Sequence, residues 1–481
     1  MTTPSAPSQT IPGSTTSTQI VSVAMTEASD TVLREHLLRA DGQEDLCLAT
    51  YAPSSGSRRW TALLREFVEP WPGERTVHGN VSFTGAYVVR AATQAAAAGF
   101  GVAILHSHPR GRGWQHMSAW DADAEQSYAH LCEEITGLPL LGMTLAGVDQ
   151  AWSARTWTGT GTPVWAESVR VDGGQLRVSW NDDLRPPPQG QDTQERTISA
   201  WGPHIQADLA RLRILVVGVG SVGLDVAVRL AAAGVQHLAV MDPDVVERRN
   251  LDRLIGATRR DAAECRPKID VAVRLARAAA TAEHADIVGY RMSICDPSAH
   301  TIALDYDVIF SCVDRPWPRA ILNSLAYTDL IPVLDGGIGI DAFDDGTGMR
   351  NATVRTHVLR PGRPCMVCNK QLDLALVQID RQGLLDDPRY IAAASRGIQV
   401  GTENVALLSP NVSTGLLNQF VSLTAAPGGE TEPGPLRFSL STHELEHLPY
   451  RSSPGCYVEQ TIAAGDARPQ LTETPDRRRF A

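Results

Sequence analysis

The chain contains 481 residues, of which 43% are hydrophobic and 20% charged, and this length is enough for two or three globular domains. Its formal net charge of -11 argues against a partner held mainly through phosphate contacts, so we expect no nucleic-acid-binding function. Eight scattered cysteines, a polar start and the lack of an apolar run of about 18 residues argue against a secreted disulfide scaffold and a membrane helix, and we expect a cytoplasmic protein.

Composition divides the chain at three places. The first residues are rich in Ser, Thr and Pro, which predicts disorder. LRPPPQGQDTQE, from residue 184, combines three prolines with a polar run and predicts a linker, and AAPGGETEPGP, from residue 425, predicts another break. We therefore predict a disordered tail at 1–24, a first domain at 25–183, a linker at 184–194, a second domain at 195–428 and a C-terminal extension at 429–481.

Helical and strand patterns alternate before the linker. DTVLREHLLRA, GAYVVRAATQAAAAG and DADAEQSYAHLCEEI have helical patterns, whereas DLCLATYA, FGVAILHSH, LLGMTLAG and AWSARTW are short apolar runs typical of strands. The first domain is therefore predicted to be mixed α/β.

Two histidines end one of these strands, in AILHSHPRGRGWQHMSAWDAD. His106 and His108 share a face because side chains alternate along a strand, and Asp121 follows at the start of the next helix. Two imidazoles and one carboxylate would leave a tetrahedral zinc ion one open position, as in catalytic zinc sites. Ser118 could cap the helix or donate to a developing oxyanion.

This stretch resembles the JAMM (MPN/Mov34) metalloprotease motif, H-x-H-P followed by S-x-x-D. The resemblance implies an α+β, cytidine-deaminase-like domain that cuts after the C-terminal glycine of a ubiquitin-like protein. It makes His106, His108 and Asp121 the zinc ligands and Ser118 a group that holds the tetrahedral intermediate. It also implies a glutamate that carries a proton from the attacking water to the leaving amine.

The glutamate on an earlier strand is assigned less directly. Glu44, in ADGQEDLCLATYA, is the best candidate because an acidic pair precedes the first strand in many family members. Asp45, Glu66 and Glu69 are alternatives. His116 has no place in the motif and is predicted to be a surface residue.

After the linker, RILVVGVGSVGLDVAVRLAAAGVQHLAVMD has the order strand, glycine turn, helix and strand, which is typical of a Rossmann-like domain with a mainly parallel sheet. Gly218, Gly220 and Gly223 would let a phosphate approach the helix N-terminus, and Asp242 could bind a ribose. This pattern alone suits NAD, FAD and ATP equally.

Further polar residues favour a triphosphate. Asn250, Arg253, Lys268 and Asp314 follow in order near strand ends or a helix start. Attack at an α-phosphorus needs cations to offset charge on the pyrophosphate and a carboxylate to hold magnesium.

The set resembles the adenylating domain of the ThiF/MoeB and ubiquitin-activating enzymes over roughly residues 195–425. The resemblance implies that a terminal glycine carboxylate attacks ATP, that Arg253 and Lys268 balance phosphate charge, and that Asp314 holds Mg²⁺. Asp242 and Asn250 would bind the nucleotide. RTISAWG resembles the family's entry sequence, so Arg196 would reach the nucleotide site of a partner subunit in a homodimer.

The cysteines depart from the family's pattern. Cys365 and Cys368 form half of a zinc site, but the chain offers only Cys456, with His443 or His447, to complete it. No cysteine lies between Asn369 and Gly455, where related activating enzymes carry a nucleophile. Either Cys365 or Cys368 is the nucleophile, or the adenylate passes directly to another protein's thiol.

The two resemblances together predict a bifunctional enzyme that processes and activates a ubiquitin-like modifier with a C-terminal Gly-Gly. It would use zinc, ATP and magnesium, with a conjugating enzyme as a further expected partner. One alternative is activation of a sulfur-carrier protein for cofactor synthesis. The other is a metal-free binding module fused to a nucleotide-binding sensor, without catalysis.

Overall fold

The computed structural model describes residues 19–78, 81–158, 161–343, 348–387, 390 and 405–473. They form two large β-sheets, each covered by helices on both faces, and a two-stranded hairpin. No helix in these ranges has the length and apolar character needed to span a membrane.

The strands are β1 (Ile20–Thr26), β2 (Leu46–Ser55), β3 (Arg59–Val68), β4 (Arg75–Val77), β5 (Val81–Phe83), β6 (Gly101–His108), β7 (Leu140–Ala146), β8 (Trp152–Trp157), β9 (Pro163–Trp165), β10 (Ser168–Asp172), β11 (Leu176–Trp180), β12 (Arg213–Val217), β13 (His237–Met241), β14 (Asp286–Tyr290), β15 (Val308–Ser311), β16 (Val333–Ala342), β17 (Met349–Leu359), β18 (Leu436–Ser439) and β19 (Glu444–His447).

The α-helices are α1 (Glu27–Leu37), α2 (Gly85–Ala97), α3 (Ala119–Thr136), α4 (Glu195–Trp201), α5 (Pro203–Arg211), α6 (Ser221–Ala232), α7 (Arg259–Ala263), α8 (Lys268–Ala279), α9 (Pro297–Ala303), α10 (Pro316–Thr328), α11 (Leu374–Arg381) and α12 (Ser409–Thr424). Short 3-10 helices occupy Asp192–Gln194, Arg248–Asn250, Leu384–Asp386, Glu459–Thr461 and Gly465–Ala467.

The first sheet has the strand order β11-β10-β1-β3-β2-β6-β7-β8-β9. Strand β1 lies inside it, parallel to both β10 and β3. The prediction of a disordered tail at 1–24 is therefore wrong for residues 20–24, whose alternation of Val21 and Val23 with small side chains suits a buried strand. Residues 1–18 lie outside the described residues.

The second sheet has the order β14-β13-β12-β15-β16-β17-β18-β19. Strands β12 to β16 are parallel, in the manner of a Rossmann-like fold, and β17, β18 and β19 are antiparallel additions. The last two strands fall in the stretch predicted as a separate extension at 429–481. They join the second sheet because β18 pairs with β17 over Leu436–Ser439.

Helices cover both faces of each sheet. In the first half, α2 and α3 pack against Leu48 and Ile104, and α1 covers the opposite face. In the second half, α6, α8 and α12 cover one face, and α9 and α10 cover the other. Among the described residues, these helices cover the faces of the second sheet and not the carboxyl ends of its parallel strands, where ligands bind in open α/β sheets.

Candidate functional site

The three predicted zinc ligands of the first half lie together. The Nε2 atoms of His106 and His108 are each 3.6 Å from Asp121 Oδ2 and 3.3 Å from one another. The ligand atoms of all three residues lie within 4.8 Å of one another. Strand β6 places both imidazoles on one face, and the first turn of α3 supplies the carboxylate, so the donor set fits a zinc ion.

Asp121 is fixed by the start of its own helix. Ser118 is the N-cap of α3, where its Oγ accepts from Asp121 N (3.2 Å) and its N–H donates to Asp121 Oδ2 (2.9 Å). Burial raises the pKa of Asp121, but hydrogen bonds from His106 and His108 outweigh it and hold that pKa well below the usual range. The carboxylate is therefore ionised.

Side chains beside the triad contact both imidazoles. His108 Nδ1 lies 3.2 Å from Gln115 Oε1, which leaves Nε2 free to bind a metal. Thr144 Oγ1 lies 3.4 Å from His106 Nε2 and accepts a hydrogen bond from the buried Arg155 (2.7 Å). Sequence reasoning missed Gln115 and Thr144, because the pairing of β6 with β7 that brings Thr144 to His106 has no local sequence pattern.

Of the four candidate proton carriers, Glu44 is the one whose charge acts on His108 of the triad. The pKa of His108 is raised, chiefly by its hydrogen bond to Asp121 and, to a smaller extent, by the charge of Glu44. Asp45 instead binds Arg75 Nη1 at 2.6 Å. Glu66 and Glu69 lie on or just after β3, and β2 separates that strand from β6. His116 is exposed and packs edge-on against Trp165.

Of the three glycines in the turn of the second half, two are required because a side chain would clash with the backbone. The third has room for a side chain. A Cβ on Gly218, whose φ is +86°, would meet Cys312 O at 2.6 Å, and one on Gly223 would meet Gly218 O at 1.9 Å. A Cβ on Gly220, the N-cap of α6, would meet no atom of the described residues within 4 Å. Open space therefore lies directly before the N-terminus of α6, where a phosphate can bind.

Asp242 stabilises this turn through two hydrogen bonds from backbone N–H groups. Its Oδ2 accepts from Val219 N and its Oδ1 from Asp244 N, both at 2.8 Å. Burial raises the pKa of Asp242, and the charge of Lys268 opposes that change. The residue predicted to bind ribose thus also holds the backbone that faces the phosphates.

Four further residues predicted to bind ATP or magnesium lie near the carboxyl ends of the strands of the second sheet. Lys268 Nζ pairs with Asp244 Oδ2 at 2.9 Å, and Asp314 is exposed just beyond the end of β15. Arg253 donates to Arg249 O at 2.6 Å, and Asn250 Oδ1 accepts from Glu247 N at 2.9 Å. Arg253 and Asn250 are therefore engaged locally, beside the open edge.

Arg196 lies at the other end of α6. It is exposed on α4, next to Gln194, whose side chain lies beside Gly234 just after the last turn of α6. A helix of 12 residues is about 18 Å long, so Arg196 is remote from the glycine turn of its own chain.

The three predicted cysteines of the second half form a cluster. Their sulfurs lie within 4.8 Å of one another, and Cys365 Sγ is 3.7 Å from Cys456 Sγ. Within the described ranges no histidine or carboxylate joins this group, so the expectation that His443 or His447 completes it is wrong. The reason is that both histidines lie at or on β19, at the far edge of the sheet.

Comparison with known proteins relates the second half to a defined family. Residues 192–409 match the ThiF family. The SAMP-activating enzyme E1 of Haloferax volcanii is 32% identical over 257 residues, which cover 53% of this chain and 83% of that protein. The adenylyltransferase and sulfurtransferase uba4 of Aspergillus clavatus is 28% identical over 163 residues, covering 34% of this chain and 32% of that protein.

The chain thus spans about a third of the length of uba4. Among solved structures, E. coli MccB in complex with MccA-N7isoASN is similar with a TM-score of 0.43 and 16% identity, covering 56% of this chain and 75% of that one.

Proposed function

The chain belongs to the ThiF family, and on this premise we propose that its second half adenylates the C-terminal carboxylate of a small carrier protein that ends in glycine. A carboxylate oxygen would attack the α-phosphorus of ATP as the bond to pyrophosphate breaks, giving an acyl-adenylate and pyrophosphate. Transition-state charge would be balanced by cations and by the helix N-terminus.

The observation that carries this proposal is the open N-terminus of α6. Gly220 leaves room for the phosphates, and Asp314 follows β15, the parallel neighbour of the strand that leads into the turn. Asp314 would hold magnesium, which supplies further charge neutralisation when bound. When ATP binds, Lys268 would leave Asp244 and bind phosphate oxygens instead. Arg253 would leave Arg249 O and turn towards the carboxyl edge of the sheet.

Activation of a sulfur-carrier protein is the better supported form of this function. The relatives are named as an adenylyltransferase and sulfurtransferase and as an activating enzyme. Between Asn369 and Gly455 the chain has no cysteine that could accept the adenylate. Cys365 follows β17, which ends opposite Val333 at the amino edge of the sheet, away from Asp314. Direct transfer to another protein's sulfur nucleophile fits this arrangement.

The test is ATP–pyrophosphate exchange with purified carrier proteins that end in Gly-Gly. Wild-type protein should exchange only when such a carrier is present, and Asp314→Ala should lower the rate by about 10²-fold or more. Asp183→Ala, at an exposed acid outside the second sheet, serves as the control and should retain most activity. Exchange that is absent with every carrier, or unchanged in Asp314→Ala, would contradict the proposal.

A second function, zinc-dependent cleavage after a terminal glycine, rests on the geometry of the triad alone. His106, His108 and Asp121 would hold the ion, which supplies Lewis acidity when bound. Glu44 would accept a proton from the attacking water and pass it to the leaving amine. Ser118 Oγ accepts from Asp121 N, so its own O–H can donate to the developing oxyanion.

This second function is tested with a fusion that places a reporter after the carrier's Gly-Gly. Zinc-loaded wild type should release the reporter, and His108→Ala should abolish release while leaving pyrophosphate exchange intact. His130→Ala, at an exposed histidine on α3, is the matched control. Release by His108→Ala at the wild-type rate would exclude the assigned site.

A further inference from the structure

Ser107 lies between the two histidines of the triad but points to the opposite face of the first sheet. Side chains alternate along β6, so Ser107 faces α1, whereas His106 and His108 face the start of α3. The Ser107 side chain is fully buried, and its Oγ donates to Leu37 O at the end of α1 at 2.8 Å. This hydroxyl is not part of the donor set of the triad.

The same hydroxyl fixes the backbone of Asp45. Asp45 N donates to Ser107 Oγ at 3.1 Å, and Ser107 N donates to Asp45 O at 3.0 Å. The pairing of β2 with β6 begins at Leu46, opposite His106, so these two bonds hold one further residue against β6. Asp45 therefore cannot move away from the strand of the triad without breaking both bonds.

The side chain of Asp45 is held as well. Its Oδ1 accepts from Arg75 Nη1 at 2.6 Å and from Leu46 N at 2.7 Å, and its Oδ2 accepts from Arg39 Nη1 at 3.4 Å. The carboxylate is buried, and Arg75 Nη1 also lies 2.9 Å from His36 Nε2. Because movement would leave a buried charge without its partners, this carboxylate keeps one orientation.

Glu44 immediately precedes this fixed residue, and its charge acts on His108. A group that carries a proton must come within about 2.6–3.2 Å of the atoms it serves, and the reach of a glutamate depends on where its backbone is held. We infer that Ser107 and the Asp45–Arg75 pair are positioning residues that hold Glu44 at the histidine triad. The inference rests on the second proposed function, in which Glu44 carries a proton during cleavage.

Strand β6 would then hold both parts of the site. It carries His106 and His108 on one face and, through Ser107, the backbone beside Glu44 on the other. A small shift of β6 would move the proposed ligands and the proton carrier together. Such a common support matters because a displacement of about 1 Å can lower a rate by about 10²-fold.

Ser107→Ala tests the backbone contact in full-length protein from which metal has been removed. Hydrogen exchange of the peptide that contains Glu44 and Asp45 should rise at least about tenfold, because two buried backbone groups lose their anchor. Ser22→Ala is the matched control: Ser22 is a fully buried serine of the same sheet, with its Oγ 2.9 Å from Thr61 Oγ1. It should leave this peptide as protected as in the wild type. Unchanged exchange in Ser107→Ala would overturn the inference.

Cleavage of the reporter fusion tests the consequence for the reaction. In zinc-loaded protein, Ser107→Ala should lower kcat about 10–100-fold, because a displaced Glu44 loses part of its contribution to proton transfer. KM and zinc affinity, measured by competition with a chelator, should stay at the wild-type values. In Glu44→Gln protein the added Ser107→Ala should cause no further loss, since the positioned group is gone. An equal further loss there would overturn the inference.

Arg75→Met tests the side-chain contact from the other side. Arg75 lies on β4 and is partly exposed, so its replacement leaves β6 and the end of α1 intact. This variant should show the same fall in kcat with unchanged zinc affinity. Wild type that releases no reporter would contradict the proposed cleavage, whereas release at the wild-type kcat by Ser107→Ala and Arg75→Met would contradict the positioning role alone.

Discussion

Arg59 Nη1 and Asp307 Oδ1 lie 2.5 Å apart and form a fully buried ion pair between the two sheets. Arg170 Nη1 shares the same carboxylate oxygen at 2.5 Å, so one acid pairs with cations from both β3 and β10. Burial raises the pKa of Asp307, but Arg59, Arg170 and Arg213 outweigh it and lower that pKa far below its usual range. The acid thus remains charged in the folded protein.

Asp307→Ala should therefore destabilise the protein strongly. The substitution leaves two buried guanidinium groups without their carboxylate, and removing one partner of a buried pair costs about 3–5 kcal/mol. Chemical denaturation measures the loss of unfolding free energy. Glu264→Ala breaks ion pairs on the surface of α7 and should leave the free energy of unfolding nearly unchanged. Equal effects of the two substitutions would contradict the assigned role.

Gly220→Ala and Gly223→Ala should have opposite consequences. A methyl group at Gly220 meets open space in the free protein, so folding should be normal while ATP binding weakens about tenfold or more, because the phosphates need that space. A methyl group at Gly223 would collide with Gly218 O and should lower the melting temperature. Thermal unfolding and nucleotide titration measure both effects, and normal ATP affinity in Gly220→Ala would contradict the phosphate site.

Mixed dimers test whether Arg196 acts across a subunit interface. Arg196→Ala and Asp314→Ala should each be inactive in pyrophosphate exchange. An equimolar mixture, after subunits exchange, should recover about one quarter of wild-type activity, because half the dimers would contain one intact site. Each variant taken through the same exchange procedure alone is the control and should stay inactive. No recovery from a mixture that does form mixed dimers would exclude action in trans.

Gln115→Ala should weaken zinc binding at the histidine triad without removing a ligand. Gln115 Oε1 accepts from His108 Nδ1 and so fixes the ring that would bind the ion. Loss of such a partner lowers metal affinity by about 10–100-fold. Competition with a zinc chelator measures the change, and His130→Ala controls for a histidine remote from the triad. Unchanged affinity would mean that Gln115 does not orient the ligand.

Asp172 should make stability depend on pH near neutrality. Burial raises the pKa of this acid to about 7, with Glu432 and Glu27 adding to the rise and Arg360 and Arg170 opposing it. Neither carboxylate oxygen has a hydrogen-bond partner in the described part of the chain. The folded protein therefore keeps a proton that the unfolded chain releases above its own pKa of 3.8.

The raised pKa of Asp172 lowers the free energy of unfolding as pH rises. Between about pH 4 and pH 7 the folded state holds more protons at Asp172, so its contribution to unfolding free energy falls by up to about 1.4 kcal/mol per pH unit. Asp172→Asn should remove that slope and become more stable than wild type as pH approaches 7. Asp183→Asn, at an exposed acid, should leave the pH dependence of stability unchanged. Parallel stability profiles for wild type and Asp172→Asn would contradict the shifted pKa.

Local sequence patterns predicted the elements that carry their own periodicity. The glycine turn with its flanking strands, and His106, His108 and Asp121 as neighbours, could be read from spacing along one strand and one helix start. Contacts set by distant strand pairing could not, which is why Thr144 and the buried position of β1 were missed. The three cysteines were predicted as a group, but the segment that carries Cys456 to Cys365 is held by contacts with both halves, such as those of Ala463 with Tyr327 and Arg65.

The pairing of β1 with β10 also bears on synthesis of the protein. Residues Ser22–Thr26 bond to Ser168–Asp172, so the first sheet stays incomplete until the ribosome has released almost the whole first half. A contact between such distant residues forms late, and until then one edge of β1 is a template for strands of other nascent chains. Fragments that end before Ser168 should therefore aggregate more readily than the full-length chain.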